Sequence, residues 1–205
     1  MKHVKLRRVL PAAALLLATV LGLGSGARAE EKGAPPPMDP AAMQKMMELI
    51  QPSAVHHQMA GMVGTWKTTM KMWEGPGEPA TSEGTVTCEM ILGGLYLVSR
   101  HTAEWMGMPF EGMGLDAYDN AQKEFISLWI DNFGTGVMQL KGHATQDNLG
   151  IDYVGTMFDP MTMSELKIRQ EVRHQGPDQY TFTMYRVDEK GQDQKVMEMV
   201  GMRQK

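Results

Sequence analysis

The sequence has one cysteine, Cys88, in 205 residues, so no disulfide can form within the chain. Packing and hydrogen bonding must hold the fold. Val86, Cys88 and Met90 share one face of a predicted strand, where a thiol serves as a small buried hydrophobe. Aromatic residues are sparse, at 7%. After the first 29 residues no apolar run approaches the length of a bilayer span. Positive charge is scarce too. Those 29 residues hold five of the 20 Lys and Arg and none of the 24 Asp and Glu, which leaves the remainder at a formal charge of −9. Nucleic-acid binding needs clustered cations over phosphates, and anionic lipid needs them as well. Neither partner suits this chain. Catalytic signatures are also missing: no Ser-His-Asp motif, no G-x-S-x-G, no phosphate loop and no dinucleotide fingerprint. Nothing in the sequence supports assigning an enzyme.

What is present starts with a leader. Lys2, Lys5, Arg7 and Arg8 precede the apolar "VLPAAALLLATVLGLG", and "ARA" at 27–29 has the small-x-small pattern of a cleavage site. The expectation is a signal peptide over 1–29, cleaved near Ala29, and a secreted or periplasmic mature protein. No cysteine stands at the cleavage site, which argues against a lipoprotein. "EEKGAPPPM" at 30–38 reads as a flexible Pro-rich linker. An N-terminal helical segment is expected over 39–62. Asp39 would cap a first helix with Pro40 at its first position, and Met43, Met46, Met47 and Ile50 repeat at helical spacing. Ser53 would cap a second.

From Val63 to Lys205 the texture is short alternating runs broken by Gly, Pro, Asn and Asp clusters. Such spacing predicts an antiparallel sandwich or barrel. Ten strands are expected, at 63–73, 80–91, 94–105, 110–118, 123–131, 135–144, 149–158, 163–174, 178–188 and 194–204. In "SELKIRQEVRH" one face is fully charged, while the other mixes Leu166, Ile168 and Val172 with Gln170 and His174. Buried polar groups need partners, so mixed inner faces point to a barrel enclosing a cavity. "KEFISLWID" is apolar on both faces, which predicts helical cover over one side of that strand.

Five stretches together, "PSAVHHQMAGMVGTW", "ILGGLYL", "MGMPFEGMGLDAYDN", "FISLWIDNFGTG" and "KVMEMVGMRQ", resemble the secreted bacterial family known as domain of unknown function 1579. The resemblance covers about residues 40 to 203. Two positions depart from its pattern: Leu95 stands where an arginine is usual, and Ala117 where a glycine is. The family implies no established activity. Its pattern is similar to calycin-like barrels, among them lipocalins, fatty-acid binders and nitrobindin-like haem proteins. The fold implied is mainly β, a single calycin-like antiparallel barrel of about ten strands with one or two short N-terminal helices. The lipocalin likeness assigns Gly64, Trp66 and Arg203 a structural role, with the guanidinium stacked on the indole at the barrel floor.

The function expected is binding of a small apolar or amphipathic ligand in a barrel cavity. Trp66, Met113, Tyr118 and Trp129 would be wall, with His101, Asp131 and Arg186 as polar contacts. Methionine is abundant, at 21 residues, and Met70-x-Met72, Met106-x-Met108, Met161-x-Met163 and Met197-x-Met199 raise an alternative. Thioethers select Cu(I), and an envelope copper handler would use His56, Met106 and Met108. Sulfurs two residues apart on a strand lie about 6.5–7 Å apart by strand rise, so the same residues serve as cavity lining. Adjacent His56 and His57 diverge by about 100° on a helix and do not chelate one ion. A filled barrel acting as an interaction module is the third reading. No cofactor is named by the pattern; haem and copper stay open, as do oligomeric state and ligand identity.

Overall fold

The computed structural model describes residues 39–73 and 75–205. The leader expected over 1–29 and the linker over 30–38 lie outside the described residues. Two short helices come first, α1 (Pro40–Leu49) and α2 (Ala54–Met59), followed by a single 3-10 turn at Ala60–Met62. Ten strands follow: β1 (Gly64–Met72), β2 (Ala80–Ile91), β3 (Tyr96–Trp105), β4 (Met108–Asp119), β5 (Glu124–Asp131), β6 (Met138–Ala144), β7 (Gly150–Asp159), β8 (Ser164–His174), β9 (Gln179–Val187) and β10 (Asp193–Arg203). Each pairs antiparallel with its neighbours in sequence, and β1 pairs with β10 to close the barrel. The expected architecture is the one observed. No described helix is long and apolar enough to cross a membrane.

The alternation read in the sequence sets the two faces. On β8, Ile168 and Gln170 are buried, and the outer Arg169 and Arg173 pair with Asp193 and Asp152 at 2.5 Å each. Turn chemistry fixes the hairpins. Between β3 and β4 only Met106 and Gly107 turn the chain, both with positive φ, at 53° and 77°, as the tightest hairpins require. The up-and-down path places every odd strand's start, α2 and the loops after β2, β4, β6 and β8 at one end, the capped end. Turns after the odd strands form the far end.

Capping residues behave as expected. The Asp39 side chain accepts from the Ala41 N–H at 3.4 Å with Pro40 beginning α1. Ser53 precedes α2 and donates its backbone N–H to Nδ1 of His56 at 3.1 Å. Asn120 ties the segment after α1 to the barrel, donating to the carbonyls of Leu49 and Gln51 at 3.0 and 2.9 Å. The helical cover expected over β5 is incomplete: α1 buries none of its side chains. There Ile126 and Leu128 are half-buried and Ile130 is 41% exposed.

The floor is anchored by Trp66, 1% exposed, whose Nε1 donates to Met62 O at 2.9 Å. The Arg203 guanidinium lies 4.0 Å from the indole centroid. It donates to the carbonyls of Val63, Gly61 and Pro177 at 2.7, 2.6 and 2.9 Å. Gly64 makes this approach feasible: φ is 129°, and a Cβ there would stand 2.9 Å from Arg203 Nη1. Gly64, Trp66 and Arg203 therefore form one clamp.

Candidate functional site

Above that clamp the barrel is hollow. An internal cavity of about 700 Å³ runs between the walls. Its lining reaches exposed residues at both ends, Phe133 at the far end and Leu149 and Pro177 at the capped end. Glycines shape the wall by giving rings a place to lie. A Cβ at Gly112 would meet the Trp129 ring at 2.4 Å, one at Gly142 the Tyr153 ring at 2.6 Å, and one at Gly201 the Tyr180 ring at 2.1 Å. Each glycine sits on the strand next to its ring, directly opposite or one inward step away. The large side chains thus lean along the sheet instead of filling the centre.

The wall is apolar with a few polar points. Trp129 makes an edge contact with His101, ring centroids 4.8 Å apart, and lies parallel to Phe110 at 6.4 Å. Its Nε1 donates to Asp131 Oδ2 at 2.7 Å, and Asp131 Oδ1 accepts the Phe133 N–H at 2.9 Å. His101 Nε2 is 3.1 Å from Ser99 Oγ, and burial pushes its pKa down to about 4. The ring is neutral at physiological pH. Gln170 is 5% exposed, and its amide Nε2 points at two thioethers, Met184 Sδ at 3.5 Å and Met138 Sδ at 4.0 Å. Sulfur is a weak acceptor, so this donor is poorly served.

Asp116 is an acidic group inside the barrel. It projects inward from β4, opposite Ser127 on β5. Burial pushes its carboxyl up to about 6, partly countered by the Ser127 and Tyr153 hydroxyls beside it. What it faces is the cavity, which explains why some of its surface stays accessible. Burial also raises Tyr153 well above its ordinary range and Cys88 to about 12, in both cases helped by Asp116. A thiol held protonated in this way is inert as a nucleophile.

The expected site residues divide. Trp66, His101, Trp129 and Asp131 line the cavity together. Met113 does not: it lies on the outer face of β4, where Arg100 Nη1 reaches its sulfur at 3.6 Å. Tyr118 points inward but belongs to the floor, packed on Phe125 at 4.9 Å and His56 at 5.9 Å beneath α2. Arg186 sits where β9 runs past the cavity at the far end, exposed and bonded to Gln194 at 2.9 Å. Asp116, Ser99 and Ser127 were not singled out from the sequence, and Gln170 was read there only as a polar insertion on an inner face. Parity would have found Asp116, since it lies two residues from Tyr118 on the same strand.

The copper set separates as well. His56 is buried at the capped end, where its Nδ1 accepts from Ser53, while Met106 and Met108 are exposed at a far-end turn. Among the described residues no three His, Cys, Asp or Glu converge as a metal site. Two other methionine pairs do come together. Met70 faces Met199 and Met72 faces Met197 across the β1–β10 ladder, with Met184 opposite Met197 on β9, and all five line the cavity.

The fold recurs in solved structures of low identity. Rv2717c from M. tuberculosis superposes with a TM-score of 0.57 at 13% identity, over 75% of this chain and 99% of that one. The S-type phycobiliprotein lyase CPES from Guillardia theta gives 0.53 at 7% identity, over 75% of this chain and 94% of its own. At such identities the likeness is one of fold. No curated protein sequence matches the chain. A family model does match, over residues 51–203, the span that runs from the capped floor around the whole barrel. The chain belongs to the family described as "Protein of unknown function (DUF1579)".

Proposed function

We propose that this protein works by binding, holding one small apolar or amphipathic molecule inside the barrel. The cavity carries the reading. Its volume of about 700 Å³ falls within the range of about 300–1,000 Å³ usual for small-molecule sites. Aromatic and methionine side chains make much of the wall and supply apolar contact that adapts to shape. Asp116, Ser127, Ser99 and the Gln170 amide add a few convergent polar points, the pattern that orients a ligand. A filled barrel acting as an interaction module would need almost no interior space, and the cavity speaks against it. Export, read from the leader, would place this binding outside the cytoplasm.

Native mass spectrometry of the protein purified from its own host tests the reading. The expected result is an adduct of small-molecule mass that is lost on unfolding. A bare mass, with no tryptophan-fluorescence response to lipids or haem, would contradict it.

A second reading, Cu(I) handling, is favoured by one observation, the five methionines that share the cavity wall around β1 and β10. Cu(I) titration against a competing chelator separates the two. Tight binding that is lost in Met70→Leu/Met199→Leu supports copper, and micromolar or weaker binding removes it.

A further inference from the structure

Charge inside the cavity is one-sided. Among the described residues that line it there is no lysine or arginine, but there are two aspartates. Asp131 is already engaged by Trp129 Nε1 and the Phe133 N–H. Asp116 has the Ser127 and Tyr153 hydroxyls beside it and no cation among its described neighbours. Arg203, at the floor, spends its Nε, Nη1 and Nη2 on three backbone carbonyls and does not line the cavity. A fatty-acid carboxylate or a phosphate would bring a second anion into this space with nothing to neutralise it. An ammonium group would meet a carboxylate and, on the same walls, the aromatic rings of Tyr153 and Tyr180, a ring type that attracts cations.

We propose that the cavity is selective for an amphipathic organic cation, an amine on an apolar body, whose ammonium N–H groups donate to the Asp116 carboxylate. This rests on the reading of the barrel as a binding protein and names the ligand class. The proton balance is simple. An amine that enters as its ammonium form meets ionised Asp116 directly, or displaces the carboxyl proton to solvent when Asp116 is neutral. Acid therefore competes with the ligand. The other titratable groups around Asp116 are Cys88 on β2, Tyr153 on β7 and, beyond Cys88, Tyr180 on β9, all held neutral by burial. His101 on β3 and His174 on β8 are both pushed down by burial. A loss of cation binding that sets in near pH 6 and is absent in Asp116→Asn belongs to Asp116.

The test is a tryptophan-fluorescence titration of the whole chain with dodecylamine, dodecanol and dodecanoate, each below its aggregation concentration. At neutral pH the amine should bind tighter than the alcohol by on the order of 10- to 100-fold, the worth of a charge-assisted hydrogen bond, and dodecanoate should bind weakest. The amine's advantage should begin to fall as pH drops below about 6 and shrink by up to about tenfold per pH unit from there, with alcohol binding unchanged. Asp116→Asn should lower the amine to the alcohol's affinity at neutral pH and leave the alcohol alone. Dodecanoate binding as tightly as the amine, or an amine preference that survives Asp116→Asn, overturns the proposal and leaves the binding reading standing. Failure of all three probes to bind overturns both. Should Asp116→Asn not fold, the acid titration of the unaltered protein decides alone.

Discussion

The two halves of the barrel interior are made by the same ten strands and solve opposite problems. At the floor, the polar groups that hold the clamp all find partners, and among the described residues only Asn120 Oδ1 is buried there without one. Arg203 is bonded to three carbonyls, Trp66 to a fourth, and His56 to the Ser53 N–H. In the cavity above, Asp116 has no cation, the Gln170 amide has only sulfurs, and glycines hold rings off the axis. The first arrangement closes a barrel. The second leaves unspent hydrogen-bonding capacity and empty volume, both of which lower stability unless something else occupies the space. Stability and binding are therefore separable here by height along the axis.

Substitutions should respect that division. Trp66→Ala empties the floor and should destabilise by about 3–5 kcal/mol, the range for a large buried ring; a denaturant midpoint shift measures it. Little change would mean that the floor does not close the barrel. Gly201→Ala drives a Cβ onto the Tyr180 ring, and overpacking of that kind costs about 1–3 kcal/mol. Because Tyr180 lines the cavity, ligand affinity should fall along with the melting temperature.

Asp116→Asn should act in the other direction. The carboxyl rises from 3.8 to about 6 on folding, so the folded state holds the proton more tightly than the unfolded chain does. Its contribution is full below the unfolded value and is lost as pH rises through about 6. At neutral pH its removal should stabilise by on the order of 2–3 kcal/mol. His101 slopes the opposite way: it falls from 6.5 to about 4, so stability rises with pH across that interval. The two slopes oppose each other in the wild type. Asp116→Asn should expose the histidine slope, to which His56 and His174 add in the same sense as His101, seen as a steeper rise in melting temperature from pH about 4 to 6.5. A flat profile would show that one of the two groups is not buried as described. Smallest of all, Arg186→Ala at the exposed end of β9 should shift stability by less than about 0.5 kcal/mol and leave binding unchanged.

Much of this was legible in the sequence. The strand limits fall within three residues of the expected ones because period-two alternation and Gly, Pro and Asn breaks are local signals. The Gly-x-Trp and the closing arginine were legible for the same reason, since the clamp uses chain-end motifs. The cavity wall was harder. On β4 the inner face is Phe110, Gly112, Gly114, Asp116 and Tyr118, and two glycines disguise it. Met113 looked like the inward residue, although a regular strand cannot turn both Met113 and Tyr118 to one side. The ring that occupies the glycine face, Trp129, comes from the neighbouring strand, and such a fit across strands leaves no mark in either strand alone. Arg186 failed for a different reason: its face is known from parity, but where a strand outruns the cavity depends on stagger around the whole barrel. The methionine pairs show the same limit. Scattered in sequence, Met70, Met72, Met197 and Met199 meet only because β1 and β10 close the sheet.

Whether the interior is the place of binding can be decided by filling it. Ser127→Trp would put an indole into the cavity beside Asp116 without touching the floor. Titrated with dodecanol, the unaltered protein should bind saturably and the variant, folded and melting at a comparable temperature, should not. Equal binding by both would place the ligand outside the barrel and contradict the account.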